Sequence, residues 1–241
     1  MNPFTVVIPN HDPELAVELI ESIRRTHTRM PRIIVVADGH SRHFGPDVLT
    51  LSSVFPEFVF ARNVNMGIKA TIASHRDAIL INDDCVMTQP DCLFKLATLA
   101  TKVPKLGIMA PRIDGGVGQA VQSANQPWNK EWDQVVTLGG DAPVCFICVW
   151  ISYEMIKDIG PLDENFIGYG FDDNDYCLRA RTAGWLTCIS RDLVVKHGSG
   201  GAELKRGENW SVSFSKKEGV LSNLQYFLKK HPPAVTCLPP L

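Results

Sequence analysis

The stretch FTVVIPNHDPELAVELIESIRRTHTRMPRIIVVADG, residues 4–39, decides the fold. Phe4–Ile8 is a short apolar, β-branched run closed by Pro9-Asn10, which reads as a buried strand. In residues 13–27, Leu15, Leu19, Ser22 and Ile23 share one helical face; Asp12 can cap the helix and Pro13 fits its first turn. Arg32–Ala37 is a second buried strand, ending at Asp38-Gly39. The pattern then repeats, with a weaker strand over Glu57–Ala61 and a short helix over Gly67–His75. A strand over Ala78–Ile81 runs into Asn82-Asp83-Asp84, and a helix covers Asp91–Lys102. Such alternation through residue 110 requires crossover connections, hence an α/β fold with a mainly parallel central sheet flanked by helices. Ligands of such sheets lie beyond the carboxyl ends of the strands. Asn10, Asp38 and Asp83-Asp84 all stand at such ends.

The bulk numbers bound the class. The chain has 241 residues, 45% hydrophobic and 21% charged, with a net charge of −2, which suits an ordinary soluble globular domain. No basic excess advertises a nucleic-acid surface. The N-terminus lacks the basic and apolar regions of a signal peptide. No apolar run approaches the ~20 residues that span a bilayer, so any membrane contact is expected to be peripheral, with Lys216-Lys217 and Lys229-Lys230 as its candidate basic pairs. Seven cysteines form no metal pattern. The lone Cys145-x-x-Cys148 lies in an apolar strand, where residues three apart face opposite ways. They read as reduced, buried thiols, which points to the cytoplasm.

Beyond residue 110 the alternation stops. Residues 111–141 read as a glycine-rich, irregular excursion carrying Trp128 and Trp132, either a binding platform or loop anchors. Val144–Ser152, Trp185–Ser190 and Leu193–Val195 read as strands, and Tyr153–Ile159 as a short helix. His197 follows, then Gly198-Ser199-Gly200-Gly201, a candidate lid hinge. Ser213–Lys230 closes the chain as a helix with Val220, Leu221, Leu224 and Leu228 on one side.

The second informative stretch is NFIGYGFDDNDYCLRARTAG, residues 165–184. Gly168 and Gly170 precede Asp172, Asp173 and Asp175, which fall in the first turn of a helix, where backbone N–H groups favour negative charge. Asp175 and Arg179 can pair at four residues' spacing. Tyr176, Ala180 and Ala183 are expected to face the core, and Gly184 suits the left-handed position past the helix end. An acidic first turn taken alone more often marks only a well-capped surface helix, so other sites must decide. Asp83 and Asp84 at a strand end suit a hard divalent cation carrying phosphate, and the imidazole of His197 is a ligand acceptable to Mn²⁺. The G-x-G-x-x-G, P-loop and G-x-S-x-G motifs do not occur.

The segments VVIPNHD (6–12), RIIVVADGHS (32–41), NMGI (65–68), AILINDDC (78–85), IGPLDENFIGYGFDDNDYCLRARTAGW (159–185) and LVVKHGSGG (193–201) give the chain a resemblance to family 2 glycosyltransferases of the GT-A fold. It is especially similar to the rhamnosyl- and galactofuranosyltransferase-like members. The resemblance implies a single GT-A catalytic domain over residues 1–205, with a nucleotide-sugar half (1–110) and an acceptor half (111–205) bearing a small sub-sheet; residues 206–241 form a C-terminal helical extension. It implies inverting transfer from a nucleotide-diphosphate sugar to a glycan or lipid-linked hydroxyl, with Mn²⁺ or Mg²⁺. Asp84 and His197 match the metal ligands, Asp173 the catalytic base with Asp172 beside it, and Asp83 the acid at the donor ribose. Pro9, Asn10 and Asp38 match the nucleoside pocket, and Asn65 and Lys69 lie in the donor-side segment. Asn82 stands where many members carry the first Asp of D-x-D, and Ala37 replaces another Asp. Those departures motivate a non-catalytic nucleotide-sugar-binding module as one alternative. A transferase acting on modified DNA is another, which the charge balance disfavours. A nucleotidyltransferase needs a basic, glycine-rich loop after the first strand, and Pro9–Leu15 has none.

Overall fold

The first β–α–β unit forms as the sequence predicts, β1 (Phe4–Asn10), α1 (Pro13–Thr26) and β2 (Arg32–Asp38), in a computed structural model described for residues 3–54, 58–116, 120–126, 134–139, 142–168, 170–198 and 217–232. Asp12 Oδ1 accepts from the Glu14 N–H at 3.0 Å, so α1 starts on the expected cap. At its other end the buried His27 takes the Ile23 carbonyl at Nδ1 and the Leu93 N–H at Nε2. Burial holds its pKa below the usual histidine value.

Next come β3 (Val48–Ser53), α2 (Phe60–Ile72), β4 (Asp77–Ile81), β5 (Cys85–Val86), α3 (Cys92–Ala100) and β6 (Leu106–Gly115). A short 3₁₀ turn, β7 (Val135–Thr137), β8 (Cys148–Ile151), α4 (Tyr153–Ile159), α5 (Asp172–Thr182), β9 (Leu186–His197) and α6 (Lys217–Lys230) complete the chain. The sheet order is β3-β2-β1-β4-β8-β6-β9-β5, with β7 on β9. β3, β2, β1, β4, β6 and β9 run in one direction; β8, β5 and β7 run against them. Alternate side chains of the strands fill two cores. Val6, Ile8 and Ile79 pack with Leu19, Ile23 and Leu96 on one face, while Val7, Ile34 and Leu80 pack with Val64, Ile68 and Tyr176 on the other.

Several sequence expectations need correction. Of the expected strand Glu57–Ala61, the described residues 58–61 form none: Val59 makes an isolated bridge, Phe60 and Ala61 open α2, and the third strand is the preceding 48–53. The apolar cluster of Phe58, Val59 and Phe60 imitates a strand, whereas Ala61, Val64, Ile68 and Thr71 recur at helical spacing and are buried. Strand β6, residues 106–115, runs through 111–115 into what reads as an irregular stretch. Predicted strands 185–190 and 193–195 are one strand; its pairing with β6 jumps from Pro111↔Ser190 to Arg112↔Val194, so residues 191–193 bulge out. Trp128, Trp132 and residues 199–201 of the candidate hinge lie outside the described residues. On α6, Asn223 and Phe227 are the buried positions and Leu221 is 45% exposed, so the buried stripe is not the expected one. The described cysteines are free thiols, with Cys85, Cys92, Cys148, Cys177 and Cys188 buried and Cys145 half-buried. Burial raises Cys92 and Cys177 to about 12. Among these six, Cys145 should react first with an aromatic disulfide reagent in the native protein, as peptide mapping of the modified chain would read.

Candidate functional site

Because β1, β2, β4, β6 and β9 are parallel, Asn10, Asp38, Asn82-Asp83-Asp84, Gly115 and His197 all reach the same sheet edge. The β1–β4 pairing stops at Val7↔Leu80, so Pro9, which has no N–H to donate, sits beyond it. There the strands part and their polar ends meet. Asn10 Nδ2 donates to Asp83 Oδ2 at 2.9 Å, and the His11 N–H reaches the same oxygen at 3.3 Å. The other end of the Asn10 amide, Oδ1, lies 2.8 Å from His40 Nε2. Asp38 is buried, with His11 Nδ1 3.9 Å from its carboxylate. Asn10, Asp38, Asp83 and Asp84 are each no more than 8% exposed.

Asp84 and His197 form the next pair, Oδ2 to Nε2 at 3.3 Å. His197 Nδ1 faces the Gly116 carbonyl, which only accepts, so Nδ1 carries a proton. The neutral ring would therefore aim the Nε2 lone pair at a carboxylate oxygen. A second ring proton or a divalent cation between the two atoms removes that repulsion. Two ligands at right angles with bonds near 2.1 Å lie about 3 Å apart, so the spacing fits a shared hard cation. Asn82 Oδ1, two residues before Asp84, is buried with no hydrogen-bond partner, an acceptor left over at this edge. No third His, Cys, Asp or Glu completes a metal cluster among the described residues. Mg²⁺ and Mn²⁺ carried by phosphate need only one or two protein ligands. Backbone geometry keeps the pair in place: Cys85 pairs with His197 across β5 and β9, and the Gly198 N–H donates to the Asp84 carbonyl at 3.1 Å. Gly115, at φ +125°, lies so close to His197 that a Cβ would meet its carbonyl oxygen at 2.1 Å.

The acid loop arrives from the other half of the chain. Gly168, Gly170 and Phe171 all have positive φ, +70°, +102° and +66°, and swing the backbone into the first turn of α5. For a phenylalanine that conformation costs about 1–2 kcal/mol. Asp172 and Asp173 then sit at the helix N-terminus as expected. Asp172 Oδ1 accepts from the Gly170 N–H at 3.1 Å, while its Oδ2 is buried without a partner. Asp173 Oδ1 accepts from the Asn174 N–H at 2.8 Å, and the Phe146 backbone also hydrogen-bonds this carboxylate. Burial, with Asp173 next to it, pushes Asp172 up to about 7, and burial pushes Asp173 up to about 6. Asp175 pairs with Arg179 at 2.9 Å, and Tyr176 and Ala180 are buried as expected. Ala183 is instead the exposed cap residue; the helix closes with Gly184 at φ +84°. The Trp185 N–H reaches the Ala180 carbonyl and the Gly184 N–H the Arg181 carbonyl.

One segment touches both acid groups. Phe146 hydrogen-bonds Asp173, and the next residue, Ile147, accepts from the Asn82 N–H at 2.8 Å. Residues 82–84 and 172–173, about ninety positions apart in sequence, are thus held against adjacent residues of the strand-entry segment.

The raised acid pair has a cost that pH controls. A carboxyl whose folded pKa exceeds its unfolded value of 3.8 contributes stability below that value and loses it as pH rises through the folded pKa, about 7 for Asp172. Asp172→Asn removes the buried charge, so its melting temperature should exceed the parent's at about pH 8 and converge with it near pH 4. Thermal unfolding across that range checks the sign.

Two expected donor-side residues do not join the edge. Asn65 is buried and spends its amide on residues 162–164: Nδ2 donates to the Leu162 carbonyl and Glu164 Oε1, and Oδ1 accepts the Leu162 N–H. Lys69 is exposed in the last turn of α2, which runs away from the edge where Phe60 begins. Arg62 in the first turn, 3.8 Å from Glu164, is the α2 cation nearer the edge. His11 and His40 also belong to the cluster; both lie in the motif segments, where no local signal sets them apart. Lys230 belongs to an internal ion network and is not a basic surface residue.

No family model matches the chain, and no curated protein matches it in sequence. Solved structures do match. GalNAc-T7 with UDP, GalNAc and Mn²⁺ aligns with a TM-score of 0.61 at 15% identity, over 99% of this chain and 52% of that one. A mannosyltransferase from Pyrobaculum calidifontis, in complex with GDP-Man and Mn²⁺, gives 0.60 at 12% identity over 89% and 61%. S. aureus TarS 1–349 gives 0.59 at 12% identity over 88% and 65%. The fold is GT-A. At these identities the likeness carries the GT-A architecture and not the specificity, and the chain spans between half and two-thirds of the solved chains it matches. Among the described residues, no GT-A helix here is long and apolar enough to cross a membrane.

Proposed function

We propose that the chain is a metal-dependent, inverting glycosyltransferase that moves a sugar from a nucleotide-diphosphate donor to a hydroxyl of a glycan or lipid-linked acceptor. The observation that carries this reading is the bridge through Phe146 and Ile147, which gathers strand-end acids and a pair of high-pKa acids at one edge of a GT-A sheet. Neighbouring folds solved with UDP or GDP-Man and Mn²⁺ support the donor class.

Each residue then has work suited to its chemistry. Asn10, Asp38 and Asp83 receive the nucleoside, with Asp83 oriented by the Asn10 amide and the His11 N–H. Asp84 and His197 would hold Mn²⁺ or Mg²⁺, which would supply positive charge for a diphosphate leaving group. Asp173 accepts the proton of the attacking hydroxyl, and its burial, with Asp172 beside it, keeps its affinity for that proton high. Attack from the face opposite the departing diphosphate inverts the anomeric centre. A base near pKa 6 remains ionised at neutral pH yet takes a proton readily. Turnover should therefore fall as pH drops through about 6, reaching about a tenth of its plateau near pH 5.

The first test is a thermal-shift screen of nucleotide-diphosphate sugars with and without Mn²⁺. A donor at a hundred times its Kd adds about 2.7 kcal/mol, which for a chain of this size is a rise of about 5–10 °C. A shift that needs both sugar nucleotide and metal supports the reading; no shift with any donor contradicts it. Donor hydrolysis without acceptor then separates an enzyme from a non-catalytic binding module of the same fold.

A further inference from the structure

We infer that α6 is a strap holding the acid loop in its working shape, and that Asn223 is a positioning residue for Asp172 and Asp173. The inference rests on the base role proposed above. Asn223 is 2% exposed, and its amide is spent on the loop backbone. Oδ1 accepts the Ile167 N–H at 3.1 Å, and Nδ2 donates to the carbonyls of Ile167 and Gly170 at 2.9 and 3.1 Å. Gly170 in turn donates its N–H to Asp172 Oδ1. A single residue therefore separates the Asn223 amide from the acid pair.

The rest of α6 grips the same loop at both ends. Before it, Asp163 Oδ2 accepts from the Tyr226 hydroxyl at 2.9 Å and from Lys230 Nζ at 2.5 Å. Beyond it, Asp175, fully buried in α5, has Lys230 Nζ and His231 Nε2 each at 2.7 Å from Oδ1, while Arg179 takes Oδ2. Between these anchors the Phe171 ring packs on Phe227 with centroids 5.7 Å apart. Phe171 is the left-handed non-glycine residue among the loop's described residues. Such a conformation persists only where surroundings over-determine it, and α6 supplies Phe227 and Asn223 for that purpose. The expensive elements, a strained aromatic and a buried carboxylate oxygen with no partner, sit between the strap's two ion anchors.

Asn223→Ala tests this. Alanine favours the helix, so the change subtracts the side-chain bonds to the loop and leaves α6 itself sound. The parent, Asn223→Ala, Tyr226→Phe and Asp173→Asn are compared by thermal unfolding, by calorimetry with UDP and GDP in the presence of Mn²⁺, and by Mn²⁺-dependent hydrolysis of UDP-N-acetylgalactosamine and GDP-mannose. Amide exchange at Ile167 and Gly170 is measured on the free proteins. The strap predicts faster exchange at both amides in Asn223→Ala, hydrolysis lowered by about 10- to 100-fold, and nucleotide affinity within about twofold of the parent. Should Asn223→Ala fail to fold, Tyr226→Phe must show the same pattern in weaker form. Unchanged exchange, or hydrolysis equal to the parent's, overturns the inference; so does an equal loss of nucleotide affinity, which marks a general structural role. If Asp173→Asn hydrolyses donor like the parent, the base assignment fails instead. The exchange measurement still decides whether α6 holds the loop.

Discussion

Asp173→Asn is expected to lower sugar transfer by about 10³-fold, in the range that a positioned general base contributes, while the Kd for the donor changes by less than about twofold. The amide preserves the shape of the side chain and keeps an oxygen for the Asn174 N–H, so the first turn of α5 should stay intact. What it cannot do is take a proton. Steady-state kinetics beside calorimetry separates the possibilities, because a residue that acts only in the transition state lowers kcat and kcat/KM together. If donor affinity falls in parallel, Asp173 belongs to the donor pocket and the base lies elsewhere.

The second large effect concerns the strand-end pair. Asp84→Ala and His197→Ala should each weaken Mn²⁺-dependent donor binding by on the order of 100-fold, about 2.7 kcal/mol. The effect should nearly vanish when donor binding is measured with a chelator present. The 3.3 Å separation of Oδ2 and Nε2, with Nδ1 committed to the Gly116 carbonyl, is what makes the histidine a candidate partner in this effect. Calorimetry that finds His197→Ala binding donor and Mn²⁺ like the parent would leave the histidine as a purely structural ion-pair partner. In that case the cation must be held by Asp84 and the donor's own phosphates.

Much of the molecule is legible in its residues because local and global signals agree there. The unit over residues 4–38 carries strand, cap, helix face and strand in sequence, and each forms within a residue or two of its expected bounds. The acids at 83–84 stand at a strand's carboxyl end, whereas those at 172–173 open a helix and meet the same segment, Phe146-Ile147, only in the fold. Where reading fails, the cause is local ambiguity or distance. Phe58, Val59 and Phe60 form an apolar cluster too short to separate strand from helix onset. β9 looks like two strands because residues 191–193 bulge out of its ladder. Asn65 resembles a ligand-facing residue by its motif, but only the fold reveals that Leu162, ninety-seven positions away, consumes its amide. Lys230 likewise reads as surface charge until Asp163 and Asp175 are brought to it.

The central claim is spatial: a cation at Asp84 and His197 and the carboxylates of Asp172 and Asp173 border one cleft. Paramagnetic broadening reads that directly, with Mn²⁺ and UDP added to protein carrying ¹³C-labelled aspartate carboxyls. Resonances of Asp172 and Asp173 should broaden strongly, alongside those of Asp83 and Asp84, while Asp77 at the opposite end of β4 stays sharp. Sharp Asp172 and Asp173 signals beside broadened Asp83 and Asp84 would contradict the account.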